Sequence, residues 1–123
     1  MRVLIVVPDR NLATIWARHL ERAGATVFVA FCQEDAITTL CEVDVDIIVL
    51  NTALEHSESP AAVADFAGYR QPRAQIIFVS SAQFFSEGNL FQHFPNARAM
   101  MPARTPPEDL AALVEYYSLS GAA

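Results

Sequence analysis

Lysine does not occur in this chain, and all eight basic residues among its 123 are arginines. Chemistry that needs an ε-amine, such as a Schiff base or a phosphate-loop lysine, is excluded unless a partner supplies it. Cysteine is almost as scarce, with only Cys32 and Cys41. A helix is expected between them, which carries their Cα atoms past the roughly 7 Å that a disulfide tolerates. Two reduced thiols in a cytoplasmic protein are therefore expected. The four glycines, Gly24, Gly68, Gly88 and Gly121, are isolated from one another, so there is no glycine-rich phosphate loop. The longest early apolar run, Val3–Val7, falls far short of the ~20 residues of a membrane span, and nothing after Arg2 reads as a signal peptide. Basic charge is in deficit as well. Fourteen carboxylates leave a net charge of −6, which argues against nucleic acid as a partner.

What is present alternates between two periodicities. RVLIVV (2–7), TVFVAF (26–31), DIIVLN (46–51) and QIIFVS (75–80) are short apolar runs rich in β-branched residues, as strands covered on both faces require. A shorter strand is expected over 98–101, beside Ala97. Between them lie segments with helical spacing. The first, 11–23, carries Leu12, Ile15, Trp16 and Leu20 on one stripe and stops at Gly24. The second, 34–42, buries Ala36, Ile37, Leu40 and Cys41. A third opens at Ser59–Pro60, buries Val63, Phe66 and Ala67, and ends before Pro72. A fourth covers 83–93, weakened by Gly88. The fifth, 106–118, follows the capping box Thr105-Pro-Pro-Glu108 and carries Leu110, Leu113, Val114 and Tyr117.

The expected fold is α/β: a (βα)5 flavodoxin-like, doubly wound parallel sheet in the order 2-1-3-4-5, with helices on both faces. Residues 1–118 form one domain and 119–123 a short flexible tail. Ligands of such sheets sit at the C-terminal strand ends, near the switch between strands one and three. That directs attention to Val7–Asn11, Asn51–Glu55, Ser80–Gln83 and Met101–Arg104.

Taken in order, RVLIVVPDRNL, the Ala23–Gly24 turn, DIIVLN, IIFVSSA and MPARTPPEDL resemble the receiver domain of response regulators (CheY-like) over nearly the whole chain. The resemblance implies two-component or phosphorelay signal transduction, in which a histidine kinase passes a phosphoryl group to an aspartate. It implies an acidic pair holding Mg2+, an aspartate ending strand three, a Ser/Thr ending strand four and a lysine after strand five. Here the acidic pair falls on Val7 and Pro8, and Asp9 is the carboxylate one place further on. The phosphoacceptor falls on Asn51, whose amide oxygen cannot yield an acyl phosphate. The hydroxyl is kept as Ser80. The lysine falls on Ala103, with Arg104 adjacent. The chain is thus expected to be a degenerate pseudo-receiver: no enzyme, no catalytic residue, no cofactor, and weak or absent Mg2+ binding at the vestigial site.

The aromatic that family members carry on strand five falls on Met100. The surrounding sequence is nonetheless aromatic-rich: Phe84, Phe85, Phe91 and Phe94 crowd the fourth helical segment, and Tyr116 and Tyr117 lie on the fifth. Two or three of these phenylalanines serve a core. The remainder suit a partner or dimer face made by Phe84, Phe85, Phe91, Met100 and Tyr116. A phosphorylation-independent protein–protein interaction module is the expected function. Its partner is a signalling protein, or a second copy through the helix 4–strand 5–helix 5 face, with neither nucleic acid nor membrane involved. Two alternatives stand beside it: a small-ligand-binding flavodoxin-like domain, and a receiver phosphorylated at a non-standard residue such as Asp9 or Ser80. His19, His56 and His93 show no metal-ligand spacing.

Overall fold

The computed structural model describes residues 1–51, 60–80, 97–102 and 105–122. Five strands, β1 (Arg2–Val6), β2 (Thr26–Ala30), β3 (Ile47–Asn51), β4 (Gln75–Ser80) and β5 (Ala97–Pro102), form one sheet in the order β2-β1-β3-β4-β5. Every pairing is parallel. Helices α1 (Arg10–Arg22), α2 (Gln33–Glu42), α3 (Pro60–Arg70) and a C-terminal helix (Pro107–Ala122) complete the described elements. This is the doubly wound architecture expected from the sequence. The helix expected over 83–93 lies outside the described residues, with Phe84, Phe85, Phe91 and Phe94.

The central strands are apolar because both faces are covered. All five residues of β3 are buried, as are Val3–Val6 of β1. Side chains alternate between two cores. Leu4, Val6, Ile48, Leu50, Ile76 and Phe78 pack with Ala36 and Leu40 of α2 and Val63 and Ala67 of α3. Val3, Ile5, Ile47, Val49, Ile77 and Val79 pack on the other face with Trp16 and Leu20 of α1 and Leu110 and Val114 of the C-terminal helix. The period-2 alternation of a strand thus feeds two separate layers.

Local signals set the helix ends. Asp9 caps α1, its Oδ1 accepting from the amides of Asn11 (2.9 Å) and Leu12 (3.2 Å). At the other end Gly24 has φ +96°. Its amide donates to Glu21 O (3.0 Å), and that of Ala25 donates to Leu20 O (3.0 Å). This is the paired hydrogen-bond arrangement that a left-handed residue after a helix permits.

Buried amides then fix the N-terminal edge of the sheet. Gln71 accepts from Val45 N (2.8 Å) and donates to Leu40 O (2.8 Å) and Val43 O (2.6 Å), pinning the α2–β3 connection. Gln75 donates to Tyr117 O (2.9 Å) and accepts from Arg98 Nε (3.1 Å), while the Tyr117 hydroxyl donates to Arg98 O (3.2 Å). Arg98 sits where the β4–β5 register slips between Ile76 and Ile77, so the bulge turns its side chain toward that network.

Several expectations need correction. Ile15 is 44% exposed, and the buried stripe of α1 is Ala13, Trp16 and Leu20. On α2 only Ala36 and Leu40 are buried, with Ile37 half-buried and Cys41 exposed. Strand β2 ends at Ala30 and β5 spans Ala97–Pro102. The C-terminal helix starts at Pro107 and continues through Ala122, four residues past its expected end. Cys32 and Cys41 are both free, as expected.

Candidate functional site

The C-terminal ends of β1, β3, β4 and β5 lie side by side and bring most of the expected site together. Parallel register sets Asn51 opposite Val79 and Ser80 opposite Pro102. β1 passes directly into Val7, fully buried, whose amide donates to Ala30 O (3.1 Å). Pro8 follows, half-buried, and then Asp9, exposed. Ala103 and the loop after Asn51, including Glu55, His56 and Glu58, lie outside the described residues.

Asn51 is 6% exposed, one of three buried polar residues among those described. A neutral amide keeps this place without the desolvation cost of a carboxylate. Val7 presents only hydrocarbon and lies in the core layer with Trp16 and Ala13. Asp9 offers the one carboxylate between β1 and α1, and its Oδ1 is engaged by two helix amides. Among the described residues no three His, Cys, Asp or Glu side chains converge as a metal site. Val7, Pro8, Asp9 and Asn51 therefore do not make up the oxygen-rich donor set that Mg2+ takes.

Sequence reasoning missed two features here. Asp9 directly precedes a helical stripe, which is the ordinary signal of an N-cap. The Arg10 guanidinium lies 4.2 Å from the centroid of the Phe31 ring, a cation–π contact that ties the start of α1 to the end of β2. Nothing in the sequence spacing announces that second contact.

Of the expected partner face, Met100 lies opposite Phe78 in β4 and packs half-buried on the α2–α3 side of the sheet. Tyr116 is 63% exposed. Its ring meets Tyr117 edge-on, with centroids 5.1 Å apart and planes at 80°. Phe84, Phe85 and Phe91 lie outside the described residues. The two described members therefore differ: Met100 serves the core and Tyr116 the surface.

No family model matches the chain, and no curated protein matches it either. Solved structures do. A CheY-like response regulator receiver domain protein from Methanospirillum hungatei JF-1 superposes with a TM-score of 0.87 at 18% identity, over 98% of this chain and 94% of that one. The receiver domain of a LuxO-type repressor protein from Vibrio parahaemolyticus gives 0.86 at 19%, over 98% and 91%. The response regulator TrrA from Thermotoga maritima, in complex with Mg2+–BeF, gives 0.80 at 17%, over 94% and 97%. The fold is that of a response-regulator receiver domain. Among the described residues no helix is long and apolar enough to cross a membrane.

Proposed function

We propose that this chain is a receiver-like domain of a two-component or phosphorelay-type signalling system that takes no phosphoryl group and acts as a protein-interaction module. One observation carries the reading: the buried position ending β3 is Asn51. The TrrA receiver of the same fold is complexed with Mg2+–BeF; here the equivalent edge offers hydrocarbon at Val7 and Pro8, a capping carboxylate at Asp9 and an amide at Asn51. The lack of any lysine removes the ammonium of the receiver pattern without reference to alignment. Mg2+ binding is weak or absent on the same grounds, and the chain is a binding domain rather than an enzyme.

The domain runs through the C-terminal helix to Ala122 and works in the cytoplasm with a protein partner. Its face is that of Phe84, Phe85, Phe91 and Tyr116, of which the exposed Tyr116 is the described anchor, while Met100 supports it from the core. Exposed tyrosine supplies large, rigid contact area at small entropic cost. The deciding experiment adds Mg2+ and beryllofluoride to the protein and follows backbone amide shifts. The expected spectrum is unchanged; saturable shifts around residues 9, 51 and 80 would reject the reading in favour of a non-standard phosphoacceptor.

A further inference from the structure

The sheet ends at β2, which pairs only with β1. Thr26 N donates to Met1 O (2.8 Å) and Ala30 O accepts from Val7 N (3.1 Å), so alternate residues of β2 direct their backbone toward β1. By the two-residue period of a strand, the N–H and C=O groups of Val27 and Val29 point outward. No hydrogen bond engages them among the described residues. TVFVA carries neither charge nor proline, the usual guards of an exposed edge. Val29 is 36% exposed. Beside the edge, an open groove of about 560 Å³ is lined by Phe28 and Val43 together with the charged Arg2, Glu42, Asp44 and Arg70.

We propose that this edge pairs with a second copy of the chain, the two β2 strands running antiparallel about a two-fold axis at Phe28. Centred there, Val27 of one copy lies opposite Val29 of the other and exchanges both backbone hydrogen bonds, twice by symmetry. Phe28 meets its own copy as the closer, non-hydrogen-bonded pair at the mouth of the groove. The choice of a second copy rests on charge. Arg10, Thr14, Ala17 and Glu21 fall on one stripe of α1 at i, i+4, i+7 and i+11. Arg10 lies over Phe31, the residue after β2, so this stripe flanks the free edge. The opposite flank of α1 meets the C-terminal helix, where His19 Nε2 lies 3.7 Å from Glu108. Because α1 runs antiparallel to β2, Arg10 lies at the Ala30 end and Glu21 at the Thr26 end. The two-fold brings Arg10 of each copy to Glu21 of the other. On the other face α2 contributes Glu34, Asp35 and Glu42, with Arg2 and Arg70 lining the groove beside Glu42, so charges of both signs approach there.

Sedimentation of the full chain over a range of concentrations tests this. The expected result is a reversible monomer–dimer equilibrium whose association constant falls at least tenfold in Val29→Lys. Glu21→Arg alone and Arg10→Glu alone should weaken it similarly, and the double exchange R10E/E21R should restore it. Both charge changes suit the α1 dipole, acid at its start and base at its end, so a loss of association is not a loss of helix. Concentration-dependent slowing of Val27 and Val29 amide exchange should accompany the dimer. A protein that stays monomeric throughout overturns the proposal. So does a dimer that survives Val29→Lys, or one that Tyr116→Ala abolishes, since either places the contact elsewhere.

Discussion

Asp9 and Gln71 show how single side chains of this molecule are committed to holding backbone. The Asp9 carboxylate accepts two of the orphan amides at the start of α1. Asp9→Ala should therefore cost about 1 kcal/mol in urea unfolding, with Asp9→Ser recovering most of it. If Asp9 were instead a metal ligand, Mg2+ would raise the melting temperature of the unaltered protein, and no rise is expected. Gln71 is a larger commitment, with one acceptor and two donor contacts to the backbone on either side of Val43. Gln71→Leu keeps the volume but strands Val45 N, Leu40 O and Val43 O where water does not easily reach. A loss of about 3 kcal/mol is expected in the same urea experiment. A loss below about 1 kcal/mol would show that the α2–β3 connection opens to solvent and satisfies itself.

At the scale of elements, α1 separates what sequence periodicity reveals from what it hides. Large apolar residues dominate the periodicity of a sequence, so Ile15 is expected on the stripe with Leu12, Trp16 and Leu20. The helix instead settles on Ala13, because a small residue lets it lie close to the sheet and turns Ile15 toward solvent. Trp16 carries the packing: it is 2% exposed, and its Nε1 has no hydrogen-bond partner. Trp16→Ala should cost about 4 kcal/mol. Trp16→Phe, which sheds the unpaired N–H and keeps most of the ring, should cost less than about 1.5 kcal/mol. Ile15→Glu should change stability by no more than about 0.5 kcal/mol. Thermal or urea unfolding of the three variants gives the comparison. The C-terminal helix outruns its expected end for a different reason: Ser118, Ser120 and Gly121 are weak helix formers, yet the helix continues across them to Ala122.

Over the whole molecule, the strand runs made the parallel sheet and its order legible, because strands buried on both faces leave few other architectures open. The site was legible only through its resemblance to receivers, since Val7, Pro8 and Asn51 announce no chemistry of their own. The β4–β5 bulge at Arg98 and the Arg10–Phe31 contact were not legible, because both depend on chain segments that meet only after folding. The same whole-molecule logic governs Asn51→Asp. The substitution supplies the missing nucleophile but neither the metal ligands replaced by Val7 and Pro8 nor a lysine. Incubation with acetyl phosphate and Mg2+ should yield no phosphoprotein by intact mass. It also places a carboxyl in a site 6% exposed. Burial disfavours the charged form, so the folded-state pKa should rise above the unfolded value of about 3.9. The destabilisation relative to the unaltered protein should then be smallest near pH 4 and widen as the pH rises toward 7. Urea unfolding at the two pH values measures that gap. A constant gap, or a stable Mg2+-dependent phosphoprotein, would mean that this edge retains cationic help for a carboxylate from residues other than those in the receiver pattern.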